Sequence, residues 1–186
     1  MPRAGLNADV VVTEAARLAD EVGYDRVTLA AVADRFAVAV PSLYKHVSGI
    51  DDLQQHLAVR GLVELGAVVA AAAVGQARGD ALRAMASAYR EFAHEHPGRY
   101  AATLRAPRPG DAAHEAAGAA LLGTVFAVLA GYGVTGDDAV DAARAVRAAL
   151  HGFASLEAAG GFGMPRDVER SFARLVDALD TALISW

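Results

Sequence analysis

The sequence contains no cysteine among its 186 residues, which excludes disulfide scaffolds, thiol catalysis and zinc sites built on cysteine. Aromatic side chains are scarce, at 6% of the chain, and no window shows a convincing strand pattern. Alanine is abundant instead, and alanine favours helices far more than strands. The composition therefore predicts an all-α fold and argues against a sandwich, a barrel or a disordered chain.

Basic residues are in deficit, because 17 lysines and arginines face 22 aspartates and glutamates and leave a net charge of −5. An acidic chain does not favour nonspecific binding of nucleic acid, so any DNA-binding function must rest on a local motif. The N-terminus has no apolar segment like that of a secretion signal, which predicts a cytoplasmic location. Residues 116–134 lack charge and reach the length of a membrane span. Their many alanines and glycines favour a buried helix of a soluble protein.

Hydrophobic periodicity and capping residues predict nine helices. The predicted segments are residues 8–22, 29–36, 40–47, 50–74, 80–95, 99–106, 112–130, 138–159 and 167–184. The first three form an N-terminal three-helix domain at residues 1–49. The remaining six form a helical bundle domain at residues 50–186.

The second and third helices are short and are joined by a tight turn at residues 37–39. Thr28 can cap the first of the two, and Pro41 suits the first turn of the other. This arrangement is typical of a helix-turn-helix, whose second helix can enter the major groove of DNA. Four polar side chains of that helix point outward or sideways: Ser42, Tyr44, Lys45 and His46. Spacing alone also fits an ordinary helical hairpin with a polar outer face.

Residues 8–60 resemble the DNA-binding domain of the TetR family of transcriptional repressors. The most specific signature is the run Leu43-Tyr44-x-His46-Val47. The resemblance continues in His96-Pro97-Gly98-Arg99-Tyr100 and in Leu150-His151-Gly152-Phe153. These segments are similar to a C-terminal domain class named for a Trp-His-Gly motif, with Leu150 in place of the Trp.

The resemblance implies a role for each matching residue. Thr28 would cap the second helix and contact a phosphate, and Tyr44 and His46 would bind phosphates. The residues that would approach the bases are Val40, Pro41, Ser42 and Lys45.

Three positions depart from the family's pattern. Ala37 replaces the glycine of the turn, and Ala39 replaces the serine or threonine that often caps the recognition helix. Ile50 replaces a lysine that commonly contacts a phosphate, so one charge contact with DNA is missing.

The C-terminal region places apolar side chains on successive helices with small residues between them, a pattern typical both of a plain core and of a ligand pocket. The candidate pocket residues are Met85, Tyr89, Phe92, Tyr100, Leu104, Leu122, Phe126 and Phe153. The last two helices also carry apolar surface beyond the needs of one core, which predicts a four-helix bundle between two copies. The candidate dimer residues are Ala149, Phe153, Leu156, Phe172, Leu175 and Leu179.

No catalytic or metal-binding pattern is recognisable: His94 and His96 are two residues apart and point away from each other on a helix. The sequence therefore predicts a homodimeric repressor without enzymatic activity, cofactor or metal. It would bind a palindromic operator in double-stranded DNA and be released by a small apolar effector that tilts the long helix. The alternative is a helical small-molecule-binding or adaptor protein that no longer binds DNA.

Overall fold

The computed structural model describes residues 5–186, and every regular element in that range is helical. The eight α-helices are α1 Ala8–Val22, α2 Leu29–Arg35, α3 Ile50–Ala73, α4 Arg78–Glu95, α5 Pro97–Ala102, α6 Ala112–Ala130, α7 Gly136–Ala158 and α8 Val168–Ile184. Two 3-10 helices complete the chain, Tyr24–Arg26 and Val40–Lys45. The predicted all-α fold is confirmed, and each of the nine predicted segments has its helix.

The sequence predicts a short helix over residues 40–47, and the structure has a tighter 3-10 helix over Val40–Lys45. Its N-cap, Ala39, offers no side-chain oxygen, and Pro41 removes one backbone donor from the first turn. The Ser42 N–H donates to the Ala39 carbonyl at 2.9 Å, which is the three-residue spacing of a 3-10 helix.

The chain folds into two compact units. The first unit comprises the residues up to Glu64 together with Glu95–Ala117, and the second comprises Leu65–His94 and Gly118–Trp186. These limits are set by packing and differ from the functional boundary predicted between residues 49 and 50, which stays a prediction.

The core of the first unit is built by the amphipathic face of α1. Val11, Ala15 and Leu18 are buried there against Leu43 and Val47. The Asn7 side chain caps α1 by accepting the Val10 N–H at 2.9 Å. The helix Val40–Lys45 is therefore held by the same apolar cluster that includes the buried residues of α1 and α2.

The second unit is held together by α4, α7 and α8. The Arg90 guanidinium of α4 donates to Glu157 of α7 and to Glu169 of α8, at distances between 2.6 and 2.9 Å. The guanidinium carbon Cζ of Arg90 also lies over the rings of Phe153 and Phe172, at 5.6 and 4.7 Å from their centroids. These hydrogen bonds hold the pKa of Arg90 above its ordinary value.

Helix α6 is less buried than the sequence predicts. Only 22% of its apolar stretch is buried, and the buried positions of the helix include His114, Ala117 and Leu129. The exposed positions are mostly alanine and glycine, which add little apolar surface. By length and composition alone, α3 and α6 could each cross a membrane, but core helices of soluble proteins satisfy the same criteria, so this is weak evidence.

Candidate nucleic-acid interface

The helix Val40–Lys45 is anchored from below by two apolar side chains. Leu43 is fully buried and Val47 is 2% exposed, and both belong to the core cluster of the first unit. Tyr44 is 56% exposed, and Lys45 is exposed beside it. In the described part of the chain Lys45 has no carboxylate within ion-pair distance, so its ammonium is available to an external anion.

Thr28 lies at the start of α2 and caps it as predicted. Its Oγ1 accepts the Ala31 N–H at 3.1 Å. The side chain stays exposed, and its own O–H proton is not used by that bond. One hydroxyl can thus stabilise the helix and donate to a phosphate oxygen.

The turn that orients the recognition helix passes through a left-handed residue. Ala37 has a φ of 52°, in the region that favours glycine. The Ala37 N–H donates to the Asp34 carbonyl and the Val38 N–H to the Ala33 carbonyl, both at 3.1 Å, as in a Schellman termination. The left-handed backbone of Ala37 therefore explains why a glycine is expected at this position.

Two arginines that the sequence analysis did not single out neutralise the acidic start of α3. Arg105 and Arg108 both donate to the carboxylate of Asp51, which lies only a few residues after the recognition helix. A bare carboxylate at that place would repel a DNA phosphate. No local sequence signal could have paired these residues, because 54 and 57 positions separate them.

Arg105 also fixes a buried polar pair behind this surface. Its Nε donates to Gln55 Oε1 at 3.0 Å, so the Gln55 amide must donate to His114 Nδ1, which lies 2.8 Å away. Gln55 is 4% exposed and His114 is 5% exposed. His114 Nδ1 is therefore the acceptor in this buried hydrogen bond.

An open cleft of about 560 Å³ lies in the first unit, beside α1 and α3. Its lining includes Val12, Asp52, Gln55, Val59, Val63 and Arg108. None of the eight residues predicted to line a ligand pocket belongs to it.

The predicted pocket residues are divided between the two units: Tyr100 and Leu104 lie in the first, and the other six lie in the second. Met85, Phe92 and Tyr100 are buried, whereas Leu104 and Leu122 are 47% and 42% exposed. The remaining three are half-buried: Tyr89, Phe126 and Phe153. Their assignment to an effector site stays a prediction.

The predicted dimer residues fall into two groups. Phe172 is 5% exposed, and its ring packs against Phe153 with 5.1 Å between the centroids, inside the chain's own core. Ala149, Leu175 and Leu179 are half-buried, and Leu156 is 54% exposed. The second group is the one that leaves surface for another copy.

An all-helical fold in which Leu43 anchors the short helix Val40–Lys45 and leaves Tyr44 and Lys45 exposed defines a helix-turn-helix DNA-binding regulator. Comparison with known proteins gives the family. The model of bacterial regulatory proteins of the tetR family matches residues 11–57. The model of the tetracyclin repressor-like C-terminal domain matches residues 82–179. The chain belongs to the TetR family of transcriptional regulators, as the sequence motif predicts.

Similar proteins share most of the chain. The HTH-type transcriptional regulator Rv0681 of Mycobacterium tuberculosis is 39% identical over 158 residues, which cover 84% of this chain and 72% of that protein. The HTH-type regulator YobS of Bacillus subtilis is 34% identical over 173 residues, covering 92% and 90%.

Solved structures share the fold. A protein from Rhodococcus sp. RHA1 has a TM-score of 0.81 at 24% identity and covers 98% of both chains. A variant of TetR from Acinetobacter baumannii, solved in complex with minocycline, has a TM-score of 0.71 at 23% identity and covers 96% of both chains.

Proposed function

We propose that this regulator is a cytoplasmic repressor that binds a palindromic operator as a homodimer and is released by a small apolar effector. Thr28, Tyr44 and His46 hold phosphates. The side chains that approach the bases are Val40, Pro41, Ser42 and Lys45. Residues 1–49 read the DNA, and residues 50–186 dimerise and bind the effector.

The observation that carries this proposal is the arrangement of buried and exposed side chains within Val40–Lys45. Leu43 is fully buried, and this rigid anchor fixes the orientation of its neighbours Tyr44 and Lys45, which face solvent. Lys45 has no acidic partner in the described residues, although the chain as a whole is acidic. An uncompensated cation on a rigidly held helix is what phosphate or guanine recognition requires.

Small residues on α7 and α8 support the dimer. The small residues Ala145, Ala149 and Gly152, followed by the larger Leu156, are spaced at intervals of three or four residues on one face of α7, and this set is the small-residue stripe of that helix. Ser171, Leu175, Ala178 and Ala182 have the same spacing on α8. Both stripes run along the edge of the buried face and are half-buried or exposed, so a second copy can approach closely.

Release requires a connection between the effector and the recognition helix. α3 begins at Ile50, directly after the helix-turn-helix, and its residues belong to both compact units. An effector in the C-terminal region therefore acts by tilting α3, which changes the separation of the two recognition helices in the dimer. The minocycline complex of an A. baumannii TetR variant, a protein of the same fold, supports a small-molecule effector for this chain.

The test is a gel-shift and footprinting experiment on the DNA upstream of the protein's own gene. The wild type should protect an inverted repeat, and Lys45→Ala should lose roughly tenfold or more in affinity. Arg17→Ala, an exposed arginine on α1 paired with Glu14, is the matched control and should bind normally. Protection of a single half-site without a dyad would contradict binding as a dimer. No binding at all would favour the alternative, a small-molecule-binding or adaptor protein that no longer binds DNA.

A further inference from the structure

Three arginines form a row at the start of α8. Arg170 and Arg174 are four residues apart, which places their side chains about 6 Å apart on one face of α8, and Arg166 lies two residues before the helix begins. All three are exposed, and none has an ion-pair partner among the described residues. Like charges at this spacing repel each other, so the arginines lower the stability of α8 in the isolated chain.

The opposite charge is found at the start of α7. Asp137, Asp138 and Asp141 lie in its first two turns and are exposed. Asp141 pairs with Arg144 of the same helix at 3.4 Å. Asp137 and Asp138 have no basic partner in the part of the chain that the structure describes.

These two groups are too far apart to meet within one chain. The contact between Phe153 and Phe172, and the bridge of Arg90 to Glu157 and Glu169, set α7 and α8 antiparallel. In that register the middle of the arginine row lies beside the end of α7. The acidic group lies at the other end of α7, about 27 Å away at 1.5 Å per residue.

We propose that the arginine row docks against the acidic start of α7 in a second copy of this chain. This inference rests on the proposed homodimer and adds the charges that orient it. A two-fold axis perpendicular to the α7–α8 hairpin turns the partner end for end, which brings Asp138 and Asp141 of the partner subunit beside Arg170 and Arg174. Because such an interface is isologous, the same contact forms twice.

The charges and the small-residue stripes have different tasks in this dimer. The stripes supply close apolar packing at the centre of the interface. Charge pairs at the rim add little affinity each, but they fix the register and disfavour pairing with chains of the same fold that lack the complementary groups. The arginine row therefore makes the interface selective for a second copy of this chain.

The test measures the dimer dissociation constant of the full chain by sedimentation equilibrium at low and high salt. Arg170→Glu combined with Arg174→Glu should raise this constant roughly tenfold or more at low salt and less at high salt. Asp138→Arg combined with Asp141→Arg should have the same effect. The variant with all four reversals should return to within about threefold of the wild type, because each pair is restored with opposite polarity.

Arg147→Glu is the charge control, since Arg147 is exposed on α7 outside the predicted contact, and it should leave the constant unchanged. A four-reversal variant as weak as either pair alone would overturn the proposal. An unchanged dimer dissociation constant in the variant with Arg170→Glu and Arg174→Glu would also overturn the proposal, but it would leave the proposed homodimer in place. This holds whether or not that variant loses affinity for the operator. A monomeric wild type would instead refute the dimer itself.

Discussion

Gly98 lies directly against the backbone of Ala19, where α5 crosses α1. A Cβ added to Gly98 would overlap the Ala19 carbonyl group and the Asp20 nitrogen. The next residue secures the crossing, because the Arg99 N–H and Nε donate to the two oxygens of Asp20 at 2.9 and 2.7 Å. The segment His96-Pro97-Gly98-Arg99 is thus a packing motif that attaches α5 to the helix-turn-helix unit.

Gly98→Ala should destabilise the protein. The overlap is with backbone atoms, which cannot rotate away, so the free energy of unfolding should fall by about 1–3 kcal/mol. Gly123→Ala is the control, because a Cβ there meets nothing within 4 Å in α6 and should stabilise the helix by roughly 0.5–1 kcal/mol. Urea unfolding of both variants measures the two effects. Equal stability of the two variants would refute the close approach.

Ala37→Gly should stabilise the protein. A non-glycine residue in the left-handed region destabilises the folded state by about 1–2 kcal/mol, and glycine removes this strain. Glycine also makes the unfolded chain more flexible, which offsets part of the benefit, so the free energy of unfolding should rise by roughly 0.5–1 kcal/mol. Ala30→Gly, in the right-handed helix α2, should destabilise by a similar amount. Thermal unfolding distinguishes the two signs, and a lower melting temperature for Ala37→Gly would contradict the strained turn.

The Arg90–Glu157 bridge should make stability depend on pH. The hydrogen bond from Arg90 lowers the pKa of Glu157 in the folded protein. The stabilisation that the ionised Glu157 gives the folded protein is therefore complete above the ordinary glutamate pKa, about 4.3. It is lost as the pH falls through the lower pKa that Glu157 has in the folded protein. Glu157→Gln should cost about 1–3 kcal/mol at pH 7 and distinctly less near pH 3.

Chemical unfolding at both pH values checks this dependence. Glu169→Gln serves as the comparison, since the Glu169 side chain is 75% exposed and its effect should be smaller. A Glu157→Gln penalty that stays constant with pH would show that the ion pair does not stabilise the fold.

Lys45 offers a direct probe of DNA contact because it is the only lysine in the chain. Cognate DNA should slow acylation of its amine, as mass spectrometry of the labelled protein would report. Acylation beforehand removes the charge and should weaken operator binding by roughly 1–3 kcal/mol if the contact is to a base. An unchanged labelling rate together with normal binding of the acylated protein would place Lys45 outside the groove.

Leu156→Glu should give monomers, because it places a charge in the small-residue stripe of α7 without disturbing the chain's own core. Leu156 is 54% exposed, so the monomer should keep its fold and its circular dichroism spectrum. Val140→Glu changes a 37% exposed apolar residue on the other side of α7 and should remain dimeric. Light scattering at micromolar concentration reports both states, and a monomeric wild type would refute the interface.

Much of this protein could be predicted from local sequence patterns. Apolar residues at helical spacing and capping residues such as Asn7 and Thr28 act within a few positions, so they determine where helices begin and which face is buried. The predicted and observed limits of α1 and α6 coincide for this reason. The two short helices and the tight turn between them likewise predicted the helix-turn-helix, and the resemblance of the run around Tyr44 to the TetR signature indicated the family.

Only the tertiary structure decided which distant groups meet. Arg99 reaches Asp20 across 79 positions and Arg90 reaches Glu157 across 67, and neither pairing leaves a periodic trace in the sequence. The neutralisation of Asp51 by Arg105 and Arg108 also depends on chain packing. Helix formation is a local balance of propensity and capping, whereas ion pairs and close backbone approaches depend on how the helices cross.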